Sequence, residues 1–590
     1  MKRITFFLLF LFSQITCAQT EQQFIFFKAW NFIKYYHPDV AGRKIDADSL
    51  FLVTLKTINS TDEPNSIITK LTQNLNNRFK IPAPQETSKD VLKQNQDFSW
   101  FQKNRKISSE NKALLNSIYS HRYNFELLKE GKSVNDEKKY SFPKTENLPL
   151  EYRLLTLAKI QGTVDYLFPH KYIMDKGFDD YFKNALEQNS KINSRKDFEI
   201  LLAQLVSKFK DSHALSFYKE LNYKKDIFHG NHLAPFDFQI VDDHLLVTHL
   251  IFPEICAKAQ INVGDKIISM NGKKIPQIIK EKSELLSSSN MEKLKFVLSK
   301  YENNLIWNYD SPQKTFEVKS GKNNTKFSTK VDMINPSDKE KYGLIIDYLQ
   351  EKIRKTGNKK IVHDDIAYFK VNETLDFINN VDDDKIDMVM DSILHNAAQK
   401  KAIVFEMREY PDWGGFFYHY IYKYFSPAEN YFGKYYQQNL KNIGTFTYKD
   451  YDYFPAISGK TTHIYKGKVF ILVNPDTRSA SEWYSMSLQK IFPQSLTIGQ
   501  QTSGGDGDVV KINLPGDYLL EFTGNGIFYP DNSQTQQTGI RINELITYKD
   551  QDILDKKDLE FERVLKSVGA ESHQVEKNKI KIVTHISSKK

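Results

Sequence analysis

The chain has 590 residues, 40% hydrophobic and 13% aromatic, enough apolar material to build packed cores in about three or four domains. Its 82 basic and 73 acidic residues leave a net charge of +9. The charge is dispersed, without the basic stripe interleaved with aromatics that a nucleic-acid partner requires, so no nucleic acid is expected.

In chain order, residues 1–18 read as a secretory signal. Lys2 and Arg3 open it, an apolar run from Ile4 to Phe12 follows, and Thr16-Cys17-Ala18 offers small residues for cleavage. The expected location is therefore exported: periplasmic, cell-envelope or secreted, with Cys17 as an alternative lipidation site. Cleavage after Ala18 leaves Cys256 as the one thiol, so no intrachain disulfide is expected. No later apolar run approaches the ~20 residues that span a bilayer, so no transmembrane span is expected in the mature chain.

Two segments in the first third look alike. Phe27 to Pro38 and Leu157 to Pro169 are both amphipathic helix patterns with aromatics just before a proline stop. Each precedes a second helical stretch, Ser49 to Leu71 and Phe178 to Phe209, which suggests a helical unit at 19–94 duplicated at 149–222. The intervening 95–148 is rich in Lys, Asn and Ser and reads as a linker.

From 233 to 330 the period shortens to strand-like alternation, as in Phe236 to Ile240 and Leu245 to His249. The run Ala259 to Gly272, with Gly264-Asp265, a strand and an Asn271-Gly272 turn, resembles a PDZ signature. That resemblance implies binding of extended chain termini by strand addition. Strand and helix patterns then alternate through 331–570, which argues for an α/β domain with a largely parallel sheet. A basic tail, 571–590, ends the chain.

The strongest local signal for chemistry is Val469 to Trp483. An apolar strand ends in a polar turn, and Ser479 falls at the start of a helix running to Ile491. A hydroxyl held there faces substrate, and the helix N-terminus offers donors to a developing oxyanion. The same residues also satisfy a capping box, Ser479 with Glu482 three positions on, which needs no catalysis.

Ser479-Ala480-Ser481-Glu482 after an apolar strand, then Ile498 to Gly505 and Gln536-Gln537-Thr538-Gly539-Ile540, resembles the tail-specific (C-terminal processing) and tricorn-core serine peptidase family. The resemblance implies a crotonase-like α/β catalytic core preceded by helical units and a PDZ-like β domain. It makes Ser479 the nucleophile. Ala402 to Gly415 is similar to the family's strand and Gly-Gly segment, so the amide of Gly414 or Gly415 pairs with that of Ala480 as the oxyanion hole.

One departure bears on mechanism. Where bacterial members carry a lysine base in a Thr-x-Gly-Lys-Gly loop, this chain reads Thr502-Ser503-Gly504-Gly505-Asp506-Gly507. A serine hydroxyl needs an adjacent base. Asp211-Ser212-His213 resembles the Ser-His pair of tricorn-type members, which implies His213 as base and Ser212 as the group that orients it or relays to an acid. The family's glutamate position holds Gln536, which orients by hydrogen bonding but carries no charge. Glu544 is the nearby alternative.

His229 and His232 lack partners at recognisable ligand spacing, and Asp506-Gly507-Asp508 reads as a turn, so no metal is expected. Nor is a cofactor, which a serine peptidase does not use. The implied partner is a peptide or protein substrate, and the alternative is a catalytically impaired peptide-binding protein of the same fold.

Overall fold

The computed structural model of the chain describes residues 2–569 except 60, 89, 175–176, 308–309, 358–363, 414, 426–430 and 450–463. The basic tail lies outside the described residues. The architecture is α/β and multidomain. Helix α1 (Lys2–Tyr36) packs on α2 (Leu150–Gly162), so the two similar segments form one core. Asn31 donates from Nδ2 to the carbonyl of Ala158 at 2.8 Å. Gly162 permits this approach, because a Cβ there would stand 2.1 Å from the Asn31 side-chain oxygen. The rings of Phe26, Phe27 and Trp30 close on Phe51 at centroid distances of 4.8, 5.6 and 5.1 Å.

Residues 95–148, expected as a linker, instead complete this core. Helices Ser99–Gln102 and Ser109–Ser120 bury Phe101, Leu115 and Ile118 fully, with Ile107, Phe125 and Val134 beside them. The polar residues that suggested a linker are the solvent face of a thin layer, and two apolar positions three apart are enough to seat a short helix. Helix α3 (Arg195–Ser207) closes the helical cap. Just beyond it Lys210 turns the chain at φ 47° into the segment Asp211-Ser212-His213.

Strands β1 (Phe236–Val241), β2 (His244–Leu250), β3 (Lys266–Met270), β4 (Gln313–Lys319) and β5 (Lys326–Asp332) form an antiparallel sheet in that order, with Lys273–Lys274 added to β3. Helix α4 (Met291–Ser299) packs on β1, where Ser299 Oγ accepts the amide of Ile240 at 2.9 Å. The unit extends beyond 330. Helix α5 (Lys339–Gly357) docks on it through Tyr348 and Lys352, whose side chains donate to buried Asp237 at 2.6 and 2.7 Å.

The third unit holds a parallel sheet of β6 (Ile366–Lys370), β7 (Ala402–Glu406), β8 (Lys468–Val473) and β9 (Leu496–Gly499), extended by Glu544–Leu545 beside β9. Its central strands are continuous apolar runs because both faces are covered. Helices α6 (Phe416–Phe425) and α7 (Ala480–Ile491) pack on one face. Helix α8, Leu559–Val568, packs on the other. The hairpin of β10 (Val509–Leu514) and β11 (Tyr518–Thr523) leaves this unit and lies on the helical cap. There Tyr518 Oη accepts from Arg195 Nε at 2.5 Å and donates to Glu199 at 2.9 Å. The hairpin is what carries cap residues to the end of β8.

Candidate active site

The site begins where β8 ends. Asn474 Oδ1 accepts the amides of Asp476 and Thr477, at 2.8 and 3.2 Å, and the Thr477 hydroxyl donates to the carbonyl of Met407 on the neighbouring strand at 2.8 Å. This braced turn forces Ser479 to φ 49°, ψ −120°. A non-glycine residue held there costs about 1–3 kcal/mol, and such strain persists only where surrounding bonds over-determine it. Ala480 opens α7, and its amide has no acceptor among the described residues.

Beneath Ser479 lies Glu482, fully buried. One carboxylate oxygen accepts the Thr502 hydroxyl and the Gly504 amide, at 2.6 and 2.8 Å. The other accepts the amides of Ser479 and Gly505, both at 3.2 Å. Burial outweighs these four donors and pushes the carboxyl up to about 7. Asp506, also buried, is raised well above the usual carboxylate range by burial and then by the charge of Glu482.

The same loop supplies the partner of the Ser479 hydroxyl, which donates to the carbonyl of Gly507 at 3.3 Å. Gly507 has φ +117°, and a Cβ there would stand 2.1 Å from Asn525 Oδ1. At Gly505 a Cβ would meet Ser212 Cβ at 3.1 Å and Asp211 Oδ1 at 3.7 Å. The cap segment 211–213 therefore occupies the place a lysine stem would need.

On the cap side, Asp211 is fully buried. Its Oδ1 accepts the amide of His213 at 3.1 Å, the hydroxyl of Thr523 at 2.8 Å and Nε2 of Gln536 at 3.3 Å, while Oδ2 accepts the amide of Thr523 at 2.6 Å. His213 Nδ1 lies 2.8 Å from Thr523 Oγ1 and 3.8 Å from Asp211 Oδ1. Burial lowers the imidazole below the ordinary histidine value. The charges of Asp211 and Glu521 oppose this, Arg478 adds to it, and Asp508 opposes it. Arg478 and Asp508 are the chain neighbours of Ser479 and Gly507, so the nucleophile turn and the 502–508 loop lie within electrostatic range of the imidazole. No hydrogen bond joins His213 to Ser479 in this structure; the hydroxyl is turned to Gly507.

Ser212 does not orient the imidazole through a hydrogen bond. Its hydroxyl donates to the carbonyl of Ser503 at 3.0 Å and accepts the amide of Ser289 at 3.2 Å. Gly414 lies outside the described residues. Gly415 accepts from the amides of Tyr418 and His419 at the start of α6. Glu544 is removed from the site, held in a two-pronged pair with Arg563 at 2.6 and 2.9 Å.

Three neighbours were not legible as site residues. Asp211 carried a signal, its place two residues before His213. Thr523 carried none, since it reaches the site from a distant hairpin. His170, fully buried and lowered to about 4 chiefly by burial, shares the field of Asp211 and His213 and bonds the carbonyl of Asn525 at 3.1 Å. Among the described residues no group of three or more His, Cys, Asp or Glu is arranged to hold a metal ion.

Comparison of the sequence with curated proteins finds no match. Among solved structures, similarity is found to mature CPAF (11% identity, 74% of this chain and 99% of that one, TM-score 0.49). It is also found to the tricorn protease (13%, 71% and 36%, TM-score 0.30) and to the photosystem II D1 C-terminal processing protease (11%, 67% and 93%, TM-score 0.32). Residues 397–545, which hold β7, the Ser479 turn and the 502–508 loop, match the model of peptidase family S41. Over that segment, which holds the Ser479 turn, the chain is thus similar to peptidase family S41.

Proposed function

We propose that the protein is an exported peptidase that hydrolyses peptide bonds through an acyl-enzyme on Ser479, acting on unfolded peptides or protein C-termini. The observation that carries this reading is the strained Ser479 at the head of α7, beside an amide without an acceptor among the described residues, with its hydroxyl and the histidine-bearing cap segment both bonded to the 502–508 loop. For the reaction the hydroxyl has to leave Gly507 for the imidazole, a tightening that substrate-free sites commonly await.

In the reaction, Ser479 Oγ bonds to the scissile carbonyl carbon while its proton passes to His213 Nε2. The resulting oxyanion is held by the amide of Ala480 and one from the Gly414-Gly415 turn. As the C–N bond breaks, Nε2 returns the proton to the departing amine. Water then repeats the sequence and releases the acid. The antiparallel domain supports delivery of an extended chain in the manner of a PDZ domain, since among the described residues β5 pairs on one side only and is largely exposed. Export rests on the N-terminal charge and apolar pattern alone.

The test is labelling by a fluorophosphonate together with hydrolysis of an unfolded protein. Labelling that is lost in Ser479→Ala and reduced in His213→Gln supports the reading. A folded wild type that neither labels nor cleaves favours the peptide-binding alternative.

A further inference from the structure

We infer that Asp211 and Thr523 together position the catalytic imidazole: the Thr523 hydroxyl stands between the Asp211 carboxylate and His213 Nδ1 and fixes which ring nitrogen carries the proton. The inference deepens the proposed reaction and rests on it for the role of His213, but its central claim concerns a tautomer that exists whether or not the protein cuts anything.

The argument is a count of protons. Four donors converge on Asp211: the amides of His213 and Thr523, the Thr523 hydroxyl and the Gln536 side-chain amide. Three of these, the two main-chain amides and the Gln536 amide, can only donate, and together they favour the carboxylate as acceptor. The single hydroxyl hydrogen of Thr523 is then committed to Asp211 Oδ1 at 2.8 Å. What Thr523 Oγ1 offers at 2.8 Å from His213 Nδ1 is a lone pair, so Nδ1 carries the ring proton. Nε2 is left as the bare, basic nitrogen that a general base requires. The negative charge, 3.8 Å from Nδ1, stabilises the imidazolium formed when Nε2 takes a proton.

Gln536 has a defined place in this arrangement. A neutral amide at 536 donates to Asp211, whereas a carboxylate there would stand against a second buried carboxylate and drive one of them to take up a proton. Thr523 and Asp211 thus supply from the cap and hairpin what position 536 lacks. The charged and titratable groups around the imidazole are Asp211 on its own segment, Glu521 on β11, Arg478 and Asp508 from the core, and His170 from the cap.

Two measurements test this. The first is nitrogen NMR of ¹⁵N-histidine-labelled full-length protein, with His213 assigned by His213→Gln. The expected neutral form is protonated at Nδ1, and Thr523→Val shifts it toward Nε2–H while Thr523→Ser does not. A wild-type His213 protonated at Nε2 overturns the inference, whatever the protein's activity. The second is the rate of fluorophosphonate labelling of Ser479 across pH. Thr523→Val is expected to lose roughly 10²-fold, on the scale of general-base catalysis, with Thr523→Ser close to wild type. Asp211→Asn loses at least as much and moves the acid limb to lower pH. Gln536→Glu lowers the rate; a gain there, or a folded Thr523→Val with unchanged rate and pH limb, overturns the positioning role. Absent labelling in a wild type with the Nδ1–H tautomer refutes the peptidase reading and not the tautomer.

Discussion

The carboxylate of Glu482 accepts the main-chain amide of Ser479 at 3.2 Å, and through its other bonds it also holds Thr502, Gly504 and Gly505. One buried acid therefore fixes both walls of the nucleophile turn. Its carboxyl is pushed up to about 7 by burial, above the ordinary 4.5, so folding favours the neutral form. That contribution is complete below the unfolded value and is lost as pH rises through about 7, by roughly 3 kcal/mol on the scale of one pKa unit per 1.4 kcal/mol. Denaturant unfolding between pH 5 and 9 is expected to show this fall. Glu482→Gln cannot ionise and should reduce the fall, leaving the share of buried Asp506; parallel curves for the two proteins would contradict the assignment.

Arg478 offers a test of the electrostatics on the core side. Its guanidinium, about half exposed, stands over the Tyr410 ring at 5.4 Å and lowers the imidazole of His213. The base must be neutral, so labelling of Ser479 should rise with pH through a value below the ordinary histidine range. Arg478→Ala removes a charge that opposes protonation, and the acid limb is expected to move upward toward 6.5. Salt should produce a smaller shift in the same direction, because the cation is partly screened already. A limb unmoved or moved downward in Arg478→Ala would place the arginine away from the base.

The contact between cap and hairpin predicts a coupled loss. Tyr518 Oη both accepts from Arg195 and donates to Glu199, and all three side chains are deeply buried. Tyr518→Phe leaves a buried guanidinium short of one acceptor, at a cost of about 1–3 kcal/mol. Because β11 ends at Thr523, the substitution is also expected to slow labelling of Ser479, and Ser479→Ala in the same background should not change the stability cost. A Tyr518→Phe protein as stable as wild type would show that the hairpin is not anchored there.

How much of this could be read from the chain depends on the range of the contacts. The Ser479 turn was legible because an apolar strand, a polar turn and a helix start lie within fifteen residues, and the parallel sheet because strand and helix patterns alternate. The partner of His213 was not. The acid was sought near 536 and 544, but the carboxylate is Asp211, and its bonds run to Thr523, 312 positions away. Periodicity carries no information at that distance. Residues 95–148 were misread for a different reason: in a thin layer over an existing core, a few side chains such as Phe101, Leu115 and Ile118 suffice, and composition averages them away.

Gly505 gives the last prediction. It stands where the bacterial tail-specific peptidases that the loop resembles carry a lysine base, so Gly505→Lys with His213→Gln would convert the site to a serine–lysine pair if sequence position alone decided the chemistry. The structure argues otherwise. A Cβ at 505 meets Ser212 Cβ at 3.1 Å and Asp211 Oδ1 at 3.7 Å, and the amide of 505 is held by Glu482. A lysine stem has to displace the 211–213 segment, and its ammonium would be drawn to the Asp211 carboxylate. The double variant is expected to be unlabelled by fluorophosphonate at any pH from 6 to 10, and Gly505→Lys alone to lose labelling by disturbing His213. Gly505→Ala, which adds only the methyl group, separates crowding from charge: a modest loss is expected from the 3.1 Å contact, smaller than that of lysine. Recovery of labelling in the double variant would mean that the cap segment yields to the side chain and that the lysine mechanism is still open to this fold.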